Sequence, residues 1–208
     1  MSAKWYIADI HFGHINILGY CGRPFDTIEE HDQTLITNWN NRVGKNDLVY
    51  ILGDFTLSTH NETIKAYADQ LNGIKILIKG NHDKNKMPEG VFDEITLYKE
   101  IRDGDYKVIL FHYAIESWLH RFAKDNRGEN PKIKTVHLHG HSHGLTPKIP
   151  NRYDVGCDST NYTPVTLKEI LNRERDNLIG HWEIQRKILQ ETRRMLANDN
   201  VKWVAFVR

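Results

Sequence analysis

The sequence predicts an α/β protein in which mixed β-sheets carry helices on their outer faces. Three observations predict it. Early in the chain, short apolar runs alternate with helically spaced ones. In the middle, two strand-like runs flank Asp103-Gly104, a strong hairpin signal. Five short polar motifs also recur, each directly after a strand-like run. In α/β sheets, functional loops gather at the carboxyl ends of strands.

The elements follow in order. Residues 4–8 form a short apolar strand ended by Asp9. Residues 28–42 form a helix. Thr27 and Glu30 supply its capping box, and Ile28, Leu35, Ile36 and Trp39 share one face. Residues 48–52 are almost unbroken apolar, as in a strand buried on both sides. Ile64, Tyr67, Ala68 and Leu71 have helical spacing, and Asn72-Gly73 stops that helix. Residues 74–78 form the next strand, and residues 97–101 and 107–111 pair across the hairpin. A short helix is expected near residues 117–123, a loop over 127–134, and strands over 135–139 and 153–157. Thr166 and Glu169 repeat the capping-box pattern and open a helix to about residue 177. Beyond it, Ile188, Leu189, Thr192, Met195 and Leu196 have helical spacing, and residues 203–207 read as a closing strand. The expected organisation is one domain over residues 1–171, with a helix–strand extension, 172–208, packed on it.

The 208 residues can bury a sizeable core. With 28 Lys and Arg against 27 Asp and Glu, no global field draws nucleic acid or a membrane surface, so an anionic substrate must be held locally. Two distant cysteines, Cys21 and Cys157, read as free thiols in a reducing compartment. With no leader-like or long apolar segment, the expected location is cytoplasmic.

The chemistry is carried by Asp9-x-His11, Gly53-Asp54, Gly80-Asn81-His82-Asp83, His112, and Gly140-His141-x-His143. Carboxylate, amide oxygen and imidazole together suit divalent metals of intermediate softness. A spacing of two lets an extended segment aim Asp9 and His11 the same way. Gly80 is expected to permit a tight turn. Seven donors, Asp9, His11, Asp54, Asn81, His112, His141 and His143, exceed the needs of one four-coordinate ion. They suit two ions sharing Asp54, the clamp used in phosphoryl hydrolysis. His82 stands outside that count as a candidate general acid, with Asp83 expected to hold its imidazole.

The ordered set resembles the calcineurin-like metallophosphoesterases over roughly residues 4–171. Asp9-Ile10-His11-Phe12-Gly13-His14, Arg23-Pro24-Phe25 and Leu138-His139-Gly140-His141 look most like the small stand-alone bacterial and phage members. The resemblance implies a four-layer αββα sandwich, two mixed β-sheets flanked by helices. It implies a dinuclear centre of Mn, Fe, Ni or Zn. Asp9, His11, Asp54 and His143 would hold one ion, and Asp54, Asn81, His112 and His141 the other. His82 would be the proton donor and Asp83 its partner. One departure is Phe55, where many relatives continue the Gly-Asp motif with a polar residue.

His14 and Arg23 are candidate contacts for a substrate phosphate, Arg23 being held rigidly before Pro24. His139 reads as a buried strand residue or a support for a ligand. His31, His60, His120, His137 and His181 read as structural or surface. Arg121, Lys124, Arg127, Lys132 and Lys134 make a locally basic stretch, either a solvated loop or a phosphate-steering lid. The expected activity is hydrolysis of a phosphodiester or phosphomonoester by a hydroxide held on two metals, with His82 as general acid. The substrate would be a small phosphate ester or nucleotide. The alternatives are a nuclease acting on oligonucleotides, which the near-zero net charge disfavours, and a non-catalytic scaffold, which should have lost ligands. Oligomeric state is not legible.

Overall fold

A computed structural model of the chain describes residues 2–84, 86–122 and 134–173. The chain divides into two compact units, Met1–Leu167 and Lys168–Arg208. Of the second, residues 168–173 are described, and they are helical. The expected end of that helix, the helical pattern around Ile188 to Leu196 and the closing strand over 203–207 lie outside the described residues. So does most of the basic stretch between Arg121 and Lys134.

Among the described residues, eight strands form two four-stranded sheets. The first contains β1 (Lys4–Ile7), β2 (Leu48–Ile51), β3 (Ile74–Ile78) and β4 (Glu94–Thr96), in that order and all parallel. The second contains β5 (Tyr98–Asp103), β6 (Tyr106–Phe111), β7 (Lys134–His139) and β8 (Arg152–Asp154). Here β5 and β6 are antiparallel, while β6, β7 and β8 are parallel. Among the described residues, only the second sheet is therefore mixed. The first is purely parallel because its strands are joined by crossovers, and β4, unforeseen in the sequence, joins in the same sense. Ile95 in β4 is 40 % exposed, so that strand lacks the apolar run that announced its neighbours.

Among the described residues before Leu167, the helices are α1 (Asn16–Cys21), α2 (Ile28–Asn40), α3 (Asn61–Ala68) and α4 (Cys157–Thr160). Thr27 caps α2 as its spacing predicts: Thr27 Oγ1 accepts from Glu30 N at 3.1 Å. Glu30 reaches one residue further back than a capping box requires, to the Asp26 N–H at 3.0 Å. Leu35, Ile36 and Trp39 of α2 and Ile64 and Ala68 of α3 share one core with Trp5, Ile7, Val49, Ile51 and Leu77 of the first sheet. The alternate residues Tyr6, Tyr50, Leu52 and Ile78 are buried on the opposite face. There Tyr6 stacks on Tyr50 at 5.5 Å and donates to Asp103 of β5 at 2.8 Å. Burial on both faces explains the unbroken apolar run of β2. Beyond β1, Ala8 hydrogen-bonds with Val155 and Cys157, at 2.9 and 3.0 Å, joining the two sheets.

Two local expectations change. Residues 117–118 are without regular structure and 119–122 form a turn, where a helix is expected. Asn16–Cys21 is helical although no amphipathic period announces it, and it ends where Gly22 takes a left-handed φ of 61°. The hairpin behaves as predicted, with Asp103 paired to Tyr106 across a two-residue turn in which Gly104 has φ 56°.

In β7, burial pushes the His137 imidazole down to about 4, outweighing hydrogen bonds to the Ile109 and Tyr113 carbonyls. The unfolded chain binds that proton near the ordinary value of ~6.5. The resulting stability is complete above that pH and is lost as pH falls towards the folded value. Urea unfolding should thus show stability falling between about pH 6.5 and 4, by up to about 3 kcal/mol from this residue. His137→Gln should flatten that part of the profile.

Candidate metal centre

The predicted donors lie where the sheets end. Asp9 and His11 follow β1, Asp54 follows β2, Asn81 follows β3, His112 follows β6, and His141 and His143 follow β7. Asp9, His11, Asp54, His141 and His143 all have left-handed backbones, with φ of 53°, 55°, 57°, 67° and 46°. Such conformations cost about 1 kcal/mol or more each for residues other than glycine, and they cluster at functional sites. Hydrogen bonds between the loops hold them. Asp9 N donates to Gly53 O at 3.0 Å, His11 N to Asp54 O at 2.9 Å, and Gly140 N to His112 O at 3.0 Å.

The donors converge in two groups. Asp9, His11 and His143 each bring a ligand atom within 4.8 Å of the others, and so do Asp54, His112 and His141. Asp54 stands between the groups, its Oδ2 3.7 Å from His11 Nε2 and 3.5 Å from His112 Nε2. Asn81 Oδ1 lies 2.9 Å from His112 Nε2.

Three observations fit this cluster to cations. Asp9 Oδ2 and both ring nitrogens of His11 are buried without a hydrogen-bond partner, an expensive state that metal ligation relieves. His112 Nδ1 donates to the Leu52 carbonyl at 2.7 Å, which leaves a lone pair on Nε2. That lone pair faces the Asn81 oxygen, and two acceptors so close call for a proton or a cation between them. Finally, glycines make the room. A Cβ on Gly80 would collide with Asp54 Oδ1, and one on Gly140 would meet Asp9 Oδ2 at 2.7 Å. Gly80 is therefore required by close approach; its φ is not in the left-handed region.

Without cations, charge and burial are in conflict here. Burial raises the Asp9 carboxyl well above the usual carboxylate range and pushes the His11 imidazole down to about 2. The hydrogen bond to Asp158 raises His143. Burial would raise Asp158, but the hydrogen bonds from His143 and Arg23 hold it at about 2. Filling the site should thus stabilise the fold. Adding divalent cation to chelator-treated protein at 100 times its Kd is expected to contribute about 2.7 kcal/mol per site, seen as a rise in melting temperature.

Residues 6–153 match the family model of the calcineurin-like phosphoesterase superfamily domain. The chain belongs to that superfamily. It is 35 % identical over 180 residues to protein MJ1445 of Methanocaldococcus jannaschii, covering 82 % of this chain and 90 % of that one. It is 29 % identical over 176 residues to the gene 66 protein of Mycobacterium phage L5, covering 74 % of this chain and 82 % of that one. Among solved structures, protein AQ665 of Aquifex aeolicus, described as of unknown function, is similar with a TM-score of 0.61 and 26 % identity. The match covers 86 % of this chain and 100 % of that one.

The remaining predicted residues of this calcineurin-like domain have different places. His82 is exposed, its ring 5.5 Å from that of His11, and its backbone N–H donates to Asp54 Oδ1 at 2.9 Å. Asp83 does not hold the His82 ring. It is buried, and its carboxylate accepts from the backbone N–H groups of Asp54, Phe55 and Gly80 at 3.0, 2.9 and 2.8 Å. It thus fastens the Asn81 loop to the Asp54 loop. Asp83→Ala would orphan three backbone donors, two of them buried, and urea unfolding should register a loss of about 3–5 kcal/mol.

Arg23 is also turned inward rather than towards a substrate. Only 4 % exposed, it directs its whole guanidinium at Asp158, Asp9 O, Ile10 O and His31. His14 is half-buried, 5.4 Å from His11 between ring centroids, with Nδ1 unpartnered, and remains beside the centre. His139 is buried in β7, with Nδ1 2.9 Å from Gly140 O. Phe55, the departure from the motif, is core, packed edge-on against Phe12 and Phe92.

Sequence reasoning missed Asp158, whose Oδ2 lies 2.7 Å from His143 Nδ1. No spacing links it to the motifs. Cys21, His143 and Asp158 also cluster. Both Asp158 oxygens are already taken by Arg23 and His143, so that group is a support rather than another ion site.

Proposed function

We propose that the protein is a metal-dependent phosphoesterase hydrolysing a phosphodiester or phosphomonoester, with His82 as general acid. The observation that carries this reading is the meeting of two donor groups across Asp54, with an exposed histidine beside them. Asp9, His11 and His143 would hold one divalent cation, and Asn81, His112 and His141 the other, with Asp54 shared. Mn, Fe, Ni and Zn all suit this donor mixture. When bound, the pair would lower the pKa of water and neutralise charge on the phosphoryl oxygens.

The chain's own residues do the rest. Leu52 O fixes the His112 tautomer so that Nε2 faces inward. The His82 backbone is tied to Asp54, which keeps its ring near the reacting group. The ring then delivers a proton to the departing alkoxide. His14 is available to an ester oxygen from the His11 side.

The substrate in this reading is a small phosphate ester or nucleotide, and the setting is cytoplasmic. Among the described residues no helix is long and apolar enough to cross a membrane. A scaffold role is disfavoured because all seven donors are kept. The test is metal-stripped protein, given Mn²⁺ and presented with a monoester, a diester, cyclic nucleotides and oligonucleotides. Cation-dependent release of phosphate or alcohol is expected. Turnover confined to oligonucleotides would favour the nuclease, and no turnover with any arm would overturn the proposal.

A further inference from the structure

Half-buried Asp158 and buried Arg23 form a bridge from the His143 loop to the Asp9–His11 segment, beside the hydrogen bond that His141 N donates to Asp9 Oδ1 at 2.9 Å. His143 Nδ1 lies 2.7 Å from Asp158 Oδ2. A carboxylate only accepts, so Nδ1 carries the hydrogen and Nε2 carries the lone pair. Arg23 grips the same carboxylate with both arms of its fork, Nε to Oδ1 and Nη2 to Oδ2, each at 2.9 Å. Its remaining donors hold the Asp9 carbonyl at 2.7 Å and the Ile10 carbonyl at 3.1 Å. These are the backbone oxygens of the strained segment that presents Asp9 and His11. One guanidinium therefore ties together all three members of the first donor group.

The bridge is itself anchored. Arg23 Nη1 donates to His31 Nε2 at 2.7 Å, so His31 Nδ1 donates to Asp32 Oδ1 at 2.8 Å. Asp32 Oδ2 accepts from Gly13 N at 3.0 Å and from the Tyr67 hydroxyl at 2.8 Å. Every polar group in this relay has a partner of the correct sense. Such a completed network specifies one geometry, whereas a broken one is costly.

We propose that Asp158 and Arg23 are positioning residues for the first cation. Asp158 sets the His143 tautomer, and Arg23 locks Asp158 to the Asp9–His11 segment. This rests on the proposed metal-dependent reading. Supporting partners of metal-binding histidines typically contribute about 10–100-fold in metal affinity.

Asp158→Asn is nearly isosteric, yet it has one acceptor oxygen where the bridge needs two. Oδ2 serves both His143 and Arg23 Nη2. Either the amide NH₂ faces His143, which must then carry its hydrogen on Nε2, the wrong side for a metal, or the amide turns over and its NH₂ opposes Arg23 Nε, which breaks the fork. In metal-free protein at mildly alkaline pH, ¹⁵N imidazole spectra should give the neutral His143 ring of the wild type protonated at Nδ1. Mn²⁺ titration should find one equivalent weakened by about 10–100-fold in Asp158→Asn, with the other within about threefold. Arg23→Lys, which keeps the charge but loses the fork, should weaken the same equivalent less. A wild-type His143 protonated at Nε2, or two unchanged equivalents in both variants, would overturn the inference. Absence of tight Mn²⁺ binding in the wild type would instead overturn the metal-dependent reading, while the tautomer spectra still judge the bridge.

Discussion

His82→Ala is expected to keep its cations and to lose about 10²–10⁴-fold in turnover of an alkyl phosphate ester, the usual contribution of a positioned proton donor. The ring is exposed beside His11, and the fold uses only its backbone N–H, so truncation leaves the donor groups intact. An alkoxide leaves poorly without a proton, whereas nitrophenolate needs none. The same variant should therefore lose less than about tenfold on a nitrophenyl ester. Parallel kcat measurements on the two esters, with metal analysis of the same sample, make the check. Equal losses on both would remove the acid role.

Asp54→Asn should be more damaging. Asparagine tolerates the left-handed backbone at φ 57° and can still accept the His82 N–H through Oδ1. The fold should survive. What goes is the negative charge and the second carboxylate oxygen, Oδ2, which faces His11 and His112. Bound cation should fall from about two equivalents to about one or fewer, because the shared ligand is lost. Losing several kcal/mol of charge stabilisation corresponds to a fall in kcat of about 10³-fold or more. Elemental analysis and steady-state rates test both parts. Full metal occupancy with near-normal turnover would show that Asp54 is not shared.

Much of the fold is legible because its signals are local. The apolar runs of β1, β2 and β3, the Thr27 cap and the Asp103-Gly104 hairpin each need only a few neighbouring residues. β4 is not legible, since its largely exposed residues carry no apolar run and its pairing with β3 is set elsewhere. α1 is likewise silent, with Ile17 its one buried residue. Asp32 did leave a trace. It lies four residues after Ile28 and three before Leu35, a carboxylate on an apolar stripe, and such a group needs a buried partner. The trace says that a partner exists without saying which.

The candidate site divides in the same way. The identity and order of the donors are written in the chain, because ligand chemistry belongs to side-chain type and each motif is a few residues long. Their meeting in two groups around Asp54, the inward turn of Arg23 and the diversion of Asp83 to backbone N–H groups were decided only in three dimensions. Asp158 joins His143 to a guanidinium 135 residues away in the chain. Hydrogen-bond partners are chosen by distance and angle once the sheets have brought remote loops together, and neither quantity exists in a linear sequence.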